Sequence, residues 1–355
     1  MLLASCNRRA GRAEIRQLGY TIIELMIAIT ISLIILAGLV SVFANNSRTR
    51  GEIERANQQT ENGRYALQLI TDDLHNAGYL AEFNPGPLAS PAAKPDPCGT
   101  TVAVLNSALP LAVQGYDNGA TVPGCLSDVR AGTDILVVRH ASTCAVGSAG
   151  CDLNLAGDAY FQASGCNSTT ELASGNVATY YVLDTNAASF ILHKKDCATV
   201  ADLYQYRTHI YFVANNDQAG DGIPTLKRAE LGVATFNVVP LVEGIENLQI
   251  EYGLDTSVPT TGSPAVYTAD PDSYNGCAST PSICVGYWRN TVAAKINVLA
   301  RNTTATQGYV DNKVYTLGLK ADSTVNTVGP FNDAYKRHAY GSLVMLNNPA
   351  GRNTP

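Results

Sequence analysis

RQLGYTIIELMIAITISLIILAGLV, Arg16 to Val40, decides how the rest of the chain is read. From Ile22 to Phe43 the only strongly polar residue is Glu24; Thr30, Ser32 and Ser41 are mild. The run is 22 residues long, and a helix needs about 20 to cross the hydrocarbon core of a bilayer. Arg8, Arg9, Arg12 and Arg16 precede it, with only Glu14 against them. The positive-inside rule therefore places residues 1–19 in the cytoplasm and the remainder outside. A secretory signal would have a shorter apolar region and a small-residue cleavage site after it. Phe43-Ala44-Asn45-Asn46 is a poor site, and Leu3-Ala4-Ser5-Cys6 matches a lipoprotein box by letters alone.

A carboxylate in a membrane helix costs about 2.5–3.5 kcal/mol at the centre and less near an end, and is by default a functional feature. No partner for Glu24 lies within the run. A cut after Gly19 would give Tyr20 a free α-amine, and helices packed side by side would let one copy's amine meet a neighbour's carboxylate. The charge then acts as a register device, as buried polar residues do in coiled coils. The competing reading is a glutamate snorkelling at a membrane edge.

Only 15% of residues are charged and the formal net charge is −6. Without residues 1–19 the chain keeps 20 basic and 29 acidic residues, a formal −9, so no basic nucleic-acid footprint shows in its bulk. Of nine cysteines, Cys6 precedes the apolar run; Cys98, Cys125, Cys144, Cys151, Cys166, Cys197, Cys277 and Cys284 follow it. An even set on one side of a membrane segment predicts four disulfides in an oxidising compartment. Cys144–Cys151 and Cys277–Cys284 are the local pairs favoured by short loop closure. The other pairings stay open.

The N-terminal stretch resembles the class III signal of type IV pilins and related pseudopilins: a basic leader, Gly19 at the cleavage point, the aromatic Tyr20, Thr21, then Glu24 at the fifth mature position before the apolar run. The resemblance implies that a prepilin peptidase cleaves after Gly19 and methylates the new N-terminus. Tyr20 stands where that family most often has phenylalanine, and the leader is somewhat long. RYALQLITDDLHNAGY (Arg64–Tyr79), LVEGIENLQIEYGLDT (Leu241–Thr256) and VAAKINVLARN (Val292–Asn302) are similar to segments of PilW-like minor pilins. The J-type pseudopilins of type II secretion share much of the pattern but are usually shorter. The resemblance implies a subunit that starts or tips a type IV pilus. Its partners would be other minor and major pilins through the N-terminal helix, the prepilin peptidase and the inner-membrane assembly platform. It would sit as a single-pass inner-membrane protein before assembly and on the pilus surface afterwards.

The expected fold class is α+β: a long N-terminal helix packed on an antiparallel sheet with disulfide-stapled loops. The expected divisions are a leader at 1–19, an assembly helix at 20–44, its amphipathic continuation at 45–78 and a β-rich domain at 79–355. Apolar residues recur with a helical period at Ala66, Leu67, Ile70, Leu74 and Ala77, and Gly78 is a suitable stop. Gly38, Gly51 and Gly63 each weaken the helix by about 1 kcal/mol relative to alanine and are candidate flexible points. Residues 80–130, rich in Pro, Gly and Ala, read as a long loop. Strands are predicted at 134–140, 178–184, 190–195, 208–214, 247–253, 293–300 and 340–346.

Enzyme chemistry is not written in the chain: there is no P-loop, nucleophile elbow or dinucleotide fingerprint. No cofactor is expected. His75, His140, His193, His209 and His338 have no metal-ligand spacing. NNDQAGDG (Asn215–Gly222) is a candidate calcium loop through Asp217 and Asp221, but it lacks the bidentate glutamate of an EF-hand and suits a hairpin turn. Trp288 reads as a packing residue, and the 18 tyrosines as potential adhesive contacts. The rival from another class, a membrane-anchored secreted enzyme, has no use for Gly19 and Glu24 together.

Overall fold

A computed structural model describes residues 19–353 apart from Ala120. The basic part of the leader and Cys6 lie outside the described residues. Two compact units divide the chain, residues 1–54 and 55–355.

Helix α1 (Ile22–Asn76) contributes to both units. Its first part is apolar on all sides, and every residue from 19 to 50 is exposed. Its last part is amphipathic, with Ala66, Ile70 and Leu74 fully buried in the second unit. These positions repeat at four-residue steps, the spacing that keeps side chains on one helical face. Gly78, at φ 71°, turns the chain out of the helix, a left-handed conformation that glycine adopts without a Cβ penalty.

The second unit holds three antiparallel sheets. The largest has seven strands: β1 (Val113–Tyr116), β2 (Ile135–Ala141), β3 (Tyr160–Ala163), β4 (Tyr181–Asp184), β5 (Leu203–Ala214), β6 (Thr225–Leu231) and β7 (Phe236–Glu243). Its main path runs β1-β2-β5-β3-β4, with β6 on β5 and β7 on β6. The second sheet is ordered β13-β10-β8-β9, from β8 (Ile245–Leu254), β9 (Val266–Thr268), β10 (Thr291–Arg301) and β13 (Arg337–Met345). A two-stranded ribbon joins β11 (Tyr315–Leu319) and β12 (Val325–Val328). Short helices α2 (Val102–Ala108), α3 (Pro281–Arg289) and α4 (Asn347–Asn353) complete the unit.

The central core forms where Ala66, Ile70, Leu74 and Ala77 of α1 meet Leu136 and Val138 of β2, Ile250 and Tyr252 of β8, and Ile296 and Val298 of β10. Alternation along β2 sends Ile135 and Val137 to the opposite face, where they pack with Ile210, Phe212 and Ala229. Cys98 and Cys125 lie against this second cluster. Both faces of β2 are thus covered, which explains its unbroken burial.

The structure corrects two expectations. Residues 80–130 are not a plain loop: they contain α2 and β1, and Thr101 caps α2 by accepting from the Val104 N–H. The proline-rich composition there masked a short strand that β2 recruits as its edge partner. Residues 190–195 form no strand beyond a single bridge at His193. β6 and β7 lack the apolar pattern of a strand, because β6 carries the charged run Lys227-Arg228 and β7 contains Pro240 and is mostly exposed.

Candidate functional site

At the start of α1, Thr21 and Glu24 satisfy each other's backbone. The Thr21 N–H donates to Glu24 Oε2 at 3.0 Å, and the Thr21 hydroxyl donates to the same oxygen at 2.9 Å. The Glu24 N–H donates back to Thr21 Oγ1 at 3.3 Å. This is a capping box, Thr-x-x-Glu, which serves two of the helix's otherwise unpaired N–H groups. Glu24 therefore has a local role beside its charge, and the four letters Thr21-Ile22-Ile23-Glu24 carry that signal. Tyr20 is 90% exposed one residue before the box.

Along the apolar run, polar side chains turn inward to the helix backbone. The Thr30 hydroxyl donates to Met26 O at 3.0 Å and the Ser32 hydroxyl to Ala28 O at 2.7 Å. A satisfied hydroxyl places no unpaired donor in hydrocarbon. Ile22, Ile23, Ile34 and Phe43 are each more than two-thirds exposed, an apolar surface far larger than a soluble monomer sustains.

From Arg55 onward the helix is held by side-chain to backbone bonds. Gln59 Nε2 donates to Ala300 O and Lys336 O, both at 2.8 Å, and Asn62 Nδ2 donates to Glu243 O at 3.0 Å. A Cβ at Gly63 would overlap the Tyr340 ring, so this glycine permits close approach of helix and strand. Beyond the last turn, Asn348 Nδ2 donates to Ala77 O at 3.1 Å, and the Arg352 guanidinium donates to Gly78 O. The 276-residue return from Asn76 to Arg352 thus supplies donors for the carbonyls that a helix end leaves open.

The two ends of strand pairing assemble a second polar cluster. In the β2–β5 register Val138 faces His209 and His140 faces Arg207, so His140 and His209 sit diagonally on one face, the one that α1 covers. His140 Nε2 lies 2.9 Å from Asp73 Oδ1, and His209 Nδ1 lies 2.9 Å from Asp73 Oδ2. Burial pushes the Asp73 carboxyl up, but the charges and hydrogen bonds of His209 and His140 more than offset this and hold it well below the usual carboxylate range. Among the described residues these are the side chains whose ligand atoms could converge on a metal, all within 4.8 Å. Sequence spacing concealed them, because residues 73, 140 and 209 meet only through the sheet register.

The cysteines pair as Cys98–Cys125, Cys144–Cys151, Cys166–Cys197 and Cys277–Cys284. Beside Cys166, the buried Glu171 accepts from the Ser164 hydroxyl at 2.5 Å, the His193 N–H at 3.1 Å and the His193 ring at 2.8 Å. Burial raises the Glu171 carboxyl, and these donors outweigh it, leaving the group below its ordinary value. In the Asn215–Gly222 turn, both Asp221 oxygens accept backbone N–H groups, from Asp217 at 3.2 Å, Gln218 at 2.8 Å and Ile223 at 2.9 Å. Asp217 offers its main-chain oxygen to Lys227 Nζ at 2.8 Å. The carboxylate is engaged in holding the turn. Trp288 is buried edge-on to Tyr252, its Nε1–H donating to Asp272 at 2.7 Å.

Comparison with known proteins adds two family matches. Residues 210–348 match the family described as type IV pilus-assembly protein W, and residues 15–40 match the prokaryotic N-terminal methylation motif. No curated protein matches the chain. Among solved structures, a type IV-like pilin from Thermus thermophilus is similar at 11% identity, covering 83% of this chain and 96% of that one, with a TM-score of 0.33. That likeness is too slight to argue from, so the fold rests on the elements described above. The first match spans β5's second half through β13, including the adjacent strands β8 and β10. The chain is thus similar to type IV pilus-assembly protein W over residues 210–348, and it carries a prokaryotic N-terminal methylation motif that leads into an exposed apolar helix.

Proposed function

We propose that this subunit helps to start a type IV pilus or to form its tip, through the first turns of α1. The leader is cut between Gly19 and Tyr20, the Tyr20 amine is methylated, and the mature chain waits in the inner membrane with its bulk outside. Residues 20–44 then pack against the same region of other minor and major pilins, while residues 79–355 form the exposed domain. The prepilin peptidase and the membrane assembly platform are its further partners.

The observation that carries this reading is Glu24: the carboxylate lies one turn beyond the processing point, on a helix whose surroundings are wholly exposed in the isolated chain. A box with Thr21 fixes the side chain at the helix start. Glu24 Oε1 makes none of the box contacts, so the carboxylate retains acceptor capacity for a neighbour's amine. The function is structural, an assembly contact between copies of related chains.

Capping and charge are separable by substitution. Glutamine can serve at the third position of a capping box, so Glu24→Gln preserves the helix start and removes the charge. Thr21→Val does the reverse. In a deletion strain, Glu24→Gln should reach the membrane and be processed, yet fail to recover other pilins or surface pili, whereas Thr21→Val should assemble. Wild-type piliation by Glu24→Gln would show that the charge plays no part in assembly.

A further inference from the structure

We propose that Asp73, His140 and His209 bind one divalent transition-metal ion of the zinc class, and that the ion fastens the last turn of α1 to the large sheet. The three ligands come from three elements, α1, β2 and β5, and all are buried. Their placement follows from the fold: Asp73 adjoins Leu74 on the packed face of α1, and the strand register sets both imidazoles on the face beneath it.

Hydrogen-bond chemistry shows that this cluster calls for positive charge. His140 Nδ1 is 2.8 Å from the Ala141 carbonyl oxygen. A carbonyl only accepts, so the proton of a neutral His140 ring sits on Nδ1. Nε2 then carries a lone pair, and it points at Asp73 Oδ1 from 2.9 Å. An ionised carboxylate also only accepts. Two lone pairs cannot face each other without positive charge between them, which either a second proton on the ring or a bound cation supplies. Among the described residues the ion pairs of Asp73 are with these two rings alone; no lysine or arginine supplies the charge.

A metal ion answers the requirement and a further feature besides. Metal-bound histidines commonly donate their second ring nitrogen to a backbone carbonyl, which fixes the tautomer and orients the ring. His140 does this toward Ala141. Two imidazoles and a carboxylate are among the ligand types that zinc takes. Thiolates do not compete, since the eight cysteines after the apolar run are all in disulfides.

The test uses the processed full chain, purified in detergent without a polyhistidine tag and stripped with a chelator. Titration with zinc chloride should show one ion per chain by calorimetry and by elemental analysis. Cobalt(II) should give the visible d–d absorption of a low-coordinate site, abolished by added zinc. At a free zinc concentration a hundredfold above Kd the melting temperature should rise by about 4 °C. His140→Gln and His209→Gln should each lose the cobalt spectrum and the thermal shift, while His75→Gln, on the same helix but outside the cluster, should keep both. The wild-type titration does not depend on any variant folding. Absence of stoichiometric binding to the wild-type chain would overturn the proposal and leave the cluster held by a shared proton; so would undiminished binding by both His140→Gln and His209→Gln.

Discussion

Arg337 is the substitution whose cost can be worked most fully from the structure. Its side chain is wholly buried and carries three carboxylates: Glu246, Asp311 at 2.9 Å and Asp333 at 2.6 Å. Removal does not orphan them equally. Glu246 keeps Arg130 at 3.1 Å and Arg301 at 3.6 Å. The Asp333 side chain is 35% exposed and can turn to water. Asp311 is fully buried and would keep only neutral donors, chiefly the Tyr315 hydroxyl at 3.0 Å. Breaking a buried pair from one side costs about 3–5 kcal/mol, so Arg337→Met should lose about that much, nearly all through Asp311. Unfolding entropy near 2.1 cal/mol/K per residue gives about 0.6 kcal/mol/K for the roughly 300 residues of the second unit, hence a melting point lower by about 5–8 °C. Trp288, the single tryptophan and buried in the same unit, reports the transition by fluorescence. Arg337→Met/Asp311→Asn should recover more than half of the loss, since the orphaned charge is gone. A drop below about 2 °C in the single variant, or a double variant no better than it, would refute the assignment of the cost to Asp311.

The disulfides should differ in worth by loop length: removing Cys166–Cys197, separated by 31 residues, should cost about 3.7 kcal/mol in the loop-entropy model against about 2.4 kcal/mol for Cys144–Cys151, separated by 7, as read by urea denaturation of paired Cys→Ser variants. Glu171 has a folded-state carboxyl depressed below its unfolded value, so its contribution is present above about pH 4.3 and is lost as pH falls through the folded value; the gap between melts of wild type and Glu171→Gln should be full at pH 7 and shrink steadily as pH falls below about 4.3. Gly63→Ala should lower the melting point although alanine favours a helix by about 1 kcal/mol, because its Cβ meets the Tyr340 ring, and Tyr340→Ala in the same chain should reverse the sign.

Period carried the parts of the fold that were legible. The fourfold steps of Ala66, Ile70 and Leu74 and the β-rich runs at 134–140, 247–253 and 293–300 correspond to buried elements, and the run at 340–346 falls on the partly exposed β13. Two of the three segments similar to PilW-like pilins, 241–256 and 292–302, become the neighbours β8 and β10, paired Ile250 to Ile296. What escaped had its cause outside the local window. β1 is a strand because β2 offers it an edge, not because of its own four residues. Gly63, taken as a flexible point, is dictated by an aromatic ring 277 residues later in the chain. Asp73, His140 and His209 have no common spacing because α1 and two non-consecutive strands deliver them. Thr21 is the opposite case: its signal, a hydroxyl three residues before Glu24, is local and complete.

The bonds from Asn348 and Arg352 to the carbonyls just beyond α1 bear on the order of events during synthesis. Residues 22–76 are made before any strand of the second unit, yet the groups that close off this helix are made 271 or more residues later. Until then the carbonyls of Ala77 and Gly78 must rely on water, and β10 and β13, which receive the helix, do not exist. Residues 55–76 can be seated for good only when synthesis is nearly done. A subunit interrupted in its last stretch would carry an intact apolar helix start and an unseated helix end.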